Sequence, residues 1–291
     1  MRLEETPPTA VPIQPNPAPT MAGRVGRPPL TVMVAMAFVV LVVACALFGS
    51  LIAPHDPNEQ QLLVGDQRPS AGYWAGTDLL GRDVLSRTIV GARTALVGPA
   101  IIAVGAFAIA TVLGLLAGYK GGLMDAAVMR WVDFMFALPG PLIAIVIVGV
   151  VGGGFWTAVG VLVILFTAPD TRIVRSAVLE QRPLPYIEAA RTLDISPRRI
   201  MFRHIFPNIL PILAAYVVLD FAFGLVSLAG LSFLGLGVAP GTADWGRMMF
   251  ENRAILFTNP VALLLPGAMI VLTAGSTNII GDWIYERMSA A

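Results

Sequence analysis

Five charged side chains fall inside long apolar stretches of the sequence, where they could carry protons, pair with one another or face water. They are Asp125, Arg130, Asp133, Asp170 and Asp220. An unpaired charge near the centre of a bilayer costs at least about 2.5 kcal/mol, so each needs a partner or polar surroundings. Arg130 and Asp133 are one helical turn apart, which predicts an ion pair between them. We expect Asp170 and Asp220 near the cytoplasmic ends of their helices or facing a water-filled path, and we assign neither a substrate role.

The sequence offers no nucleotide-binding or metal-binding motif. Lys120 is the only lysine, and Gly121 rather than Ser or Thr follows it, so the phosphate loop G-x-x-x-x-G-K-[ST] is absent. Cys45 is the only cysteine, and His55 and His204 lie far apart. A disulfide within the chain is therefore excluded and a structural zinc site is disfavoured. We expect no catalytic residue, no metal site and no cofactor in this chain.

Composition and apolar runs define the elements that must position these residues. Hydrophobic residues make up 56% of the 291-residue chain and charged residues only 13%, against about a quarter in soluble domains. Such a chain needs lipid around it, and the runs below are each long enough to cross about 30 Å of hydrocarbon. The fold class is therefore an all-α integral membrane protein with about six transmembrane helices, near residues 30–53, 89–118, 126–152, 155–176, 208–235 and 259–281.

Arginines set the predicted orientation, because Lys and Arg in short loops stay on the cytoplasmic side. At the end of the fourth span, and between it and the fifth, lie Arg172, Arg175, Arg182, Arg191, Arg198, Arg199 and Arg203. This loop is predicted to be cytoplasmic, which also places both termini in the cytoplasm.

The chain divides accordingly. The proline-rich residues 1–29 form a predicted disordered cytoplasmic tail, and 30–53 is the first transmembrane helix. Residues 54–88 are extracytoplasmic, 89–283 form a core of five transmembrane helices, and 284–291 are a cytoplasmic C-terminus.

The cytoplasmic loop contains two predicted short helices that meet near Asp194. Ser196 followed by Pro197 is a helix start, because the hydroxyl can cap free amides and proline suits the first helical position.

The first of these helices carries Glu188, Ala189, Ala190 and Arg191. The two alanines would let another protein approach closely, while Glu188 offers a carboxylate for an ion pair at the contact. The alternative is that Glu-Ala-Ala is an ordinary helical tripeptide without a partner.

The stretch from Glu188 to Pro207 resembles the EAA loop of binding-protein-dependent ABC importer permeases. The family pattern is Glu-Ala-Ala, three residues, Gly, nine residues, then an apolar residue, any residue, Leu and Pro. This sequence has Asp194 at the glycine position, and aspartate enters the left-handed region at modest cost, so the turn is expected to persist. It also departs from the pattern at His204 and Phe206.

Further segments resemble the C-type subunit of dipeptide and oligopeptide permeases, and together they span nearly everything after the tail. They are His55-Asp56-Pro57, Gly76-Thr77-Asp78, Gly81-Arg82-Asp83-Val84-Leu85-Ser86-Arg87, Gly91-Ala92-Arg93-Thr94, Ala117-Gly118-Tyr119, Asp133 with Leu138-Pro139, Leu231-Ser232-Phe233-Leu234-Gly235-Leu236-Gly237, Trp245-Gly246 and Gly281-Asp282.

The resemblance implies a type I ABC importer permease in a bacterial inner membrane, without an ATPase site of its own. Its expected partners are a second, homologous permease, two cytosolic ATPases that carry the ATP and Mg, an extracytoplasmic solute-binding protein and lipid, but no nucleic acid. The loop at about 179–207 would contact the ATPases through Glu188, Ala189, Ala190, Arg191, Asp194, Ser196 and Pro197. Di- and oligopeptides are the expected substrates, although the same subgroup includes importers of nickel chelates.

The extracytoplasmic residues 54–88 are long for a connection between helices, and their Gly-Thr-Asp and Gly-Arg-Asp turns predict an ordered cap. The cap could be part of the landing surface for the binding protein, with Asp78, Arg82, Asp83 and Arg87 as candidate contacts. The alternative is a plug over the ends of the loops, in which these charges pair with one another.

Two other functions remain open at this point. A proton-coupled secondary transporter could use Asp133, Asp170 and Asp220 as carriers, although six spans without an inverted repeat disfavour it. A purely structural subunit would need no water-accessible path. The sequence does not indicate which helix faces would line such a path.

Overall fold

The computed structural model describes residues 28–289, which are almost entirely helical. Within this range there is no strand, only an isolated bridge between Thr77 and Asp83. The predicted disordered tail lies outside the described residues except for Pro28 and Pro29. The helices are α1 (Leu30–Ile52), α2 (Val84–Lys120), α3 (Gly122–Phe136), α4 (Gly140–Val151), α5 (Phe155–Gln181), α6 (Pro185–Thr192), α7 (Pro197–Arg199), α8 (Phe206–Phe233), α9 (Trp245–Asn252) and α10 (Val261–Ser289).

Five helices are long and apolar enough to cross a membrane, and a bent pair gives a sixth candidate. The pair is α3 and α4, which meet at an angle of 85°. Proline explains the break: Pro139 precedes α4 and Pro141 lies in its first turn, where a missing amide proton costs nothing. The predicted span 126–152 is thus two helices rather than one.

Other predicted boundaries shift outward. The second span begins at Val84 rather than 89, because the Asp83 side chain caps the amides of Leu85 and Ser86. The last helix continues to Ser289, through most of the predicted C-terminal segment.

The fourth of these five long helices starts inside the arginine-rich loop. A six-residue π-helix, Ile200–Ile205, joins α7 to α8, so that Pro197–Phe233 is one continuous helix of 37 residues. The membrane span and part of the predicted coupling loop are therefore a single structural unit.

Helix α2 is the centre of the bundle and packs against α1, α5 and α8. Its closest approach is to α5: a Cβ on Gly114 would lie 2.5 Å from the Val174 Cβ, and one on Gly118 would lie 2.8 Å from the Val178 Cβ. Only glycine permits this separation, since real Cβ contacts are never that short. The outer helix α1 buries few of its side chains, as expected for a helix that faces lipid.

Candidate functional site

The helix α6 has one buried face and one exposed face. Ile187 is 0% exposed and Ala190 is 5% exposed, one helical turn apart. Both join a core cluster with residues of α2, α5 and α8, among them Tyr119 and Val178. Glu188 and Ala189 are exposed on the other side. The predicted low alanine surface is therefore formed by one alanine, because Ala190 packs inward.

A left-handed residue ends α6. Asp194 has φ +53°, the only positive φ among the non-glycine residues of the described range. The Asp194 amide donates to the Arg191 carbonyl at 3.0 Å, and the Ile195 amide donates to the Ala190 carbonyl at 3.1 Å. These are the two bonds of a Schellman motif, in which glycine usually takes the left-handed position. The predicted turn at Asp194 is confirmed.

The second short helix starts at the predicted place, with Ser196 at the N-cap position and Pro197 first in the helix. The predicted hydroxyl cap is wrong: the Ser196 side chain makes no capping bond. Its backbone carbonyl instead accepts from the Ile200 amide at 3.0 Å, which ties the turn to the π-helix.

Polar contacts also fix the loop to the bundle. The Tyr186 hydroxyl donates to Gln181 Oε1 at 2.7 Å and accepts from Asn208 Nδ2 at 3.2 Å. The Arg191 guanidinium lies 5.3 Å from the centre of the Tyr119 ring at the end of α2. The loop therefore contacts α2, α5 and α8 through both apolar packing and polar groups.

Two ion pairs hold α3 against α5. Arg175 binds both carboxylate oxygens of Asp125, at 2.5 and 2.6 Å, and Arg172 contacts Asp133 Oδ1 at 2.7 Å. The predicted pair of Arg130 with Asp133 is wrong, because Asp133 faces α5 rather than the preceding turn of its own helix. Spacing along one helix cannot reveal such a partner on another.

A cavity of about 860 Å³ lies between the α3–α4 bend, α5 and α8. Its walls are mostly apolar, and the polar side chains that line it are Asp170, Tyr216, Asp220 and Ser227. Asp170 and Asp220 lie near the middle of α5 and α8, not at their ends, and their carboxyl groups interact with each other. Both aspartates lie in apolar runs of the sequence, but nothing in the sequence predicts that they are neighbours.

The opposite end of the bundle is closed by a cap formed by residues 54–83 and α9. Its centre is Glu251: Oε2 accepts from Arg82 at 2.8 Å, and Oε1 accepts from Arg247 at 3.0 Å and from the Gly241 amide at 3.0 Å. Burial alone would raise the pKa of Glu251, but hydrogen bonds from the backbone amide and two arginines hold the pKa below its ordinary value.

The four candidate contact residues of the cap are buried. Asp78, Arg82, Asp83 and Arg87 are between 1% and 3% exposed. Arg82 donates to Asp78 Oδ2 at 2.6 Å, Arg87 donates to the Pro57 and Gly241 carbonyls, and Asp83 accepts from Ser86. Their side chains shape the cap from within and are not on its outer surface in this structure.

An asparagine joins the cap to the last helix. Asn259 Nδ2 lies 3.0 Å from the Gln67 carbonyl, 3.4 Å from that of Ala75 and 3.1 Å from that of Thr77. The segment is therefore ordered, as its turn residues predict. The sequence reasoning missed Asn259 and Glu251, since neither stands in a recognisable motif.

Comparison with known families decides the class of protein. The model of the binding-protein-dependent transport system inner membrane component matches residues 110–290. The chain belongs to this family of ABC importer permeases. The first helix and part of the cap, residues 31–69, match the N-terminal transmembrane domain of oligopeptide transport permease C.

Relatives of this permease cover most of its length. The glutathione transport system permease protein of Pectobacterium atrosepticum is 35% identical over 86% of this chain and 84% of its own. The protein of the same name from Escherichia coli O6:K15:H31 is 38% identical over 88% and 85%. A putative peptide permease of Brucella suis is 36% identical over 80% and 78%.

A solved structure shares the fold of the permease. It is an inward-facing form of the MetNI methionine ABC transporter, with a TM-score of 0.58 and 19% identity over 70% of this chain and 97% of that chain. The family, the relatives and the apolar helices identify a multi-pass inner-membrane permease subunit. They do not favour the alternative of a proton-coupled carrier.

Proposed function

We propose that this permease forms one half of a peptide-importing ABC transporter and is driven by cytosolic ATPases through the exposed face of α6. The observation that carries the proposal is the two-sided character of α6: Glu188 and Ala189 are exposed, while Ile187 and Ala190 are packed into the bundle. A partner docked on the outer face would move the helices behind it, because packed interiors transmit displacement rather than absorb it.

The other partners follow from the same assembly. A second, homologous permease would cover the open side of the cavity, and a solute-binding protein would dock on the cap, whose outer surface is supported by the buried Asp78, Arg82, Asp83 and Arg87. ATP and Mg would bind to the two ATPases and none to this subunit. Exposed arginines around α6 support a cytoplasmic location for that end, with both chain termini on the same side.

Peptides are the proposed substrates. Two relatives are named for glutathione, which is a tripeptide, and a third is named for peptides. Residues that face the cavity on α5 and α8 would line half of the translocation path.

The test of the motor is transport by the complete complex in proteoliposomes. Peptide uptake should stop when ATP is withheld and persist when the proton gradient is collapsed. The reverse pattern would contradict the proposal.

The test of the docking face is charge reversal. Glu188→Arg should uncouple ATP hydrolysis from uptake, as should Ala189→Trp, while the amount of inserted complex stays unchanged. The matched control is Asp282→Arg, which makes the same charge change at an exposed position on α10, outside the loop. Unchanged coupling in both α6 variants would remove the docking role.

A further inference from the structure

Asp170 has a carboxyl group that is buried deep in the described part of the bundle. The residue is 6% exposed, and its Oδ2 atom has no hydrogen-bond partner although it lines the cavity. The neighbouring hydroxyls of α5 are already engaged, since Thr171 donates to the Thr167 carbonyl and Thr167 donates to the Val163 carbonyl. A buried acceptor left without a donor is costly, so its persistence requires an explanation.

The bundle supplies no cation to this carboxylate. The two arginines that follow it on α5 are turned to α3, where Arg172 pairs with Asp133 and Arg175 pairs with Asp125. Among the residues that the structure describes, no Lys, Arg or His side chain lines the cavity. The group that interacts with it is instead a second carboxyl group, that of Asp220. Two acidic groups thus face the same mostly apolar space with no counter-charge from the protein.

The residues around Asp170 and Asp220 indicate which kind of cation could bind between them. A metal ion needs several oxygen, nitrogen or sulfur ligands, and within residues 28–289 no group of three or more His, Cys, Asp or Glu side chains comes together. An organic ammonium needs only one or two acceptors for its protons, and apolar walls for the rest of the molecule. The cavity of about 860 Å³ provides both.

We propose that Asp170 and Asp220 form a subsite in the translocation cavity that binds the α-ammonium group of a peptide. The inference rests on the proposed function, since it assigns a substrate contact to the path. Every peptide with an unblocked N-terminus carries a free α-ammonium group. The subsite would therefore bind peptides irrespective of their side chains.

The first test reads the subsite without transport. N,N′-dicyclohexylcarbodiimide modifies carboxyl groups in apolar surroundings, and mass spectrometry locates the products at Asp170 and Asp220 in the complete complex in nanodiscs. The dipeptide Ala-Phe, at about ten times its dissociation constant, should slow this labelling by about tenfold. N-acetyl-Ala-Phe, which lacks the ammonium group, should not. Equal slowing by both peptides, or by neither, would overturn the proposal.

The second test reads the contribution to transport. In proteoliposomes with the binding protein at a fixed concentration, Asp170→Asn and Asp220→Asn should each reduce the preference for Ala-Phe over N-acetyl-Ala-Phe by about tenfold. The control is Asp282→Asn, which removes an exposed carboxylate on α10, outside the cavity, and should retain the preference. An unchanged preference in both cavity variants would overturn the subsite, whereas absence of ATP-dependent uptake by the wild type would overturn the proposed function instead.

Discussion

Replacing Ile187 with alanine tests whether α6 is rigidly attached to the bundle. The Ile187 side chain is 0% exposed, and Ile187 and Ala190 are the only buried residues of this eight-residue helix. Truncation of a buried isoleucine to alanine costs about 2–5 kcal/mol, because apolar contacts are lost and a cavity remains. Since so little else of α6 is buried, this loss of free energy should mainly weaken the packing of α6 against α2, α5 and α8.

A loss of this size predicts that α6 detaches from the bundle often enough to be measured. A loss of about 3 kcal/mol raises the population of the detached loop by about 100-fold. Hydrogen exchange of the amides in α6, measured on the complex in nanodiscs, should accelerate by a similar factor. The control is Leu193→Ala, which truncates an aliphatic side chain that is 75% exposed in the same segment, and the exchange there should change by less than about threefold.

The same variant should separate hydrolysis from transport. If a loosely attached α6 still binds the ATPase, ATP hydrolysis continues while the amount of peptide imported per ATP falls. Exchange rates in Ile187→Ala that match those of Leu193→Ala would show that α6 is held by something other than its buried face, and the reasoning would fail.

Three further changes test other parts of the fold. Gly114→Ala would place a Cβ 2.5 Å from the Val174 Cβ and should destabilise the permease by about 1–3 kcal/mol, seen as a lower Tm, whereas Gly160→Ala, with nothing within 4 Å, should leave the Tm unchanged or raise it. Glu251→Gln should destabilise the cap by about 3 kcal/mol at neutral pH, because buried arginines lose their counter-charge. Since the pKa of Glu251 is lowered from 4.5, its contribution is present above that pH and is lost as the pH falls through the folded value, so the wild type should lose this part of its stability in acid and the glutamine variant should not. Asp194→Gly should stabilise the turn by up to about 1 kcal/mol, because glycine adopts the left-handed conformation without strain. Hydrogen exchange of the α6 amides should then become slower, and faster exchange would contradict the role given to this turn.

The helices and the turn of the coupling loop were predictable because each is encoded locally. Apolar runs define spans by length alone, and Pro197 and Asp194 act on their own backbone positions. Helix boundaries were less accurate, since Asp83 caps α2 through its side chain and the π-helix joins the loop to α8 without a signal in composition. The 85° bend between α3 and α4 falls at Pro139 and Pro141, where proline in the sequence does indicate a kink or a helix start.

Pairing between distant residues was not predictable from one sequence. Asp133 has an arginine one turn away, yet its partner Arg172 lies on another helix, 39 positions further along the chain. Asp170 and Asp220 are brought together only when α5 packs beside α8. Contacts of this kind depend on the relative rotation of helices whose faces are all apolar, and in such helices hydrophobic periodicity carries no orientation.

The unbroken helix from Pro197 to Phe233 has a geometric consequence for gating. Between Pro197 and Asp220 it measures about 35 Å at 1.5 Å per residue. A tilt of ~10° about the turn at Asp194 would therefore move Asp220 through ~6 Å. A passage would then open through a small rotation of this one helix, without any part of it unwinding.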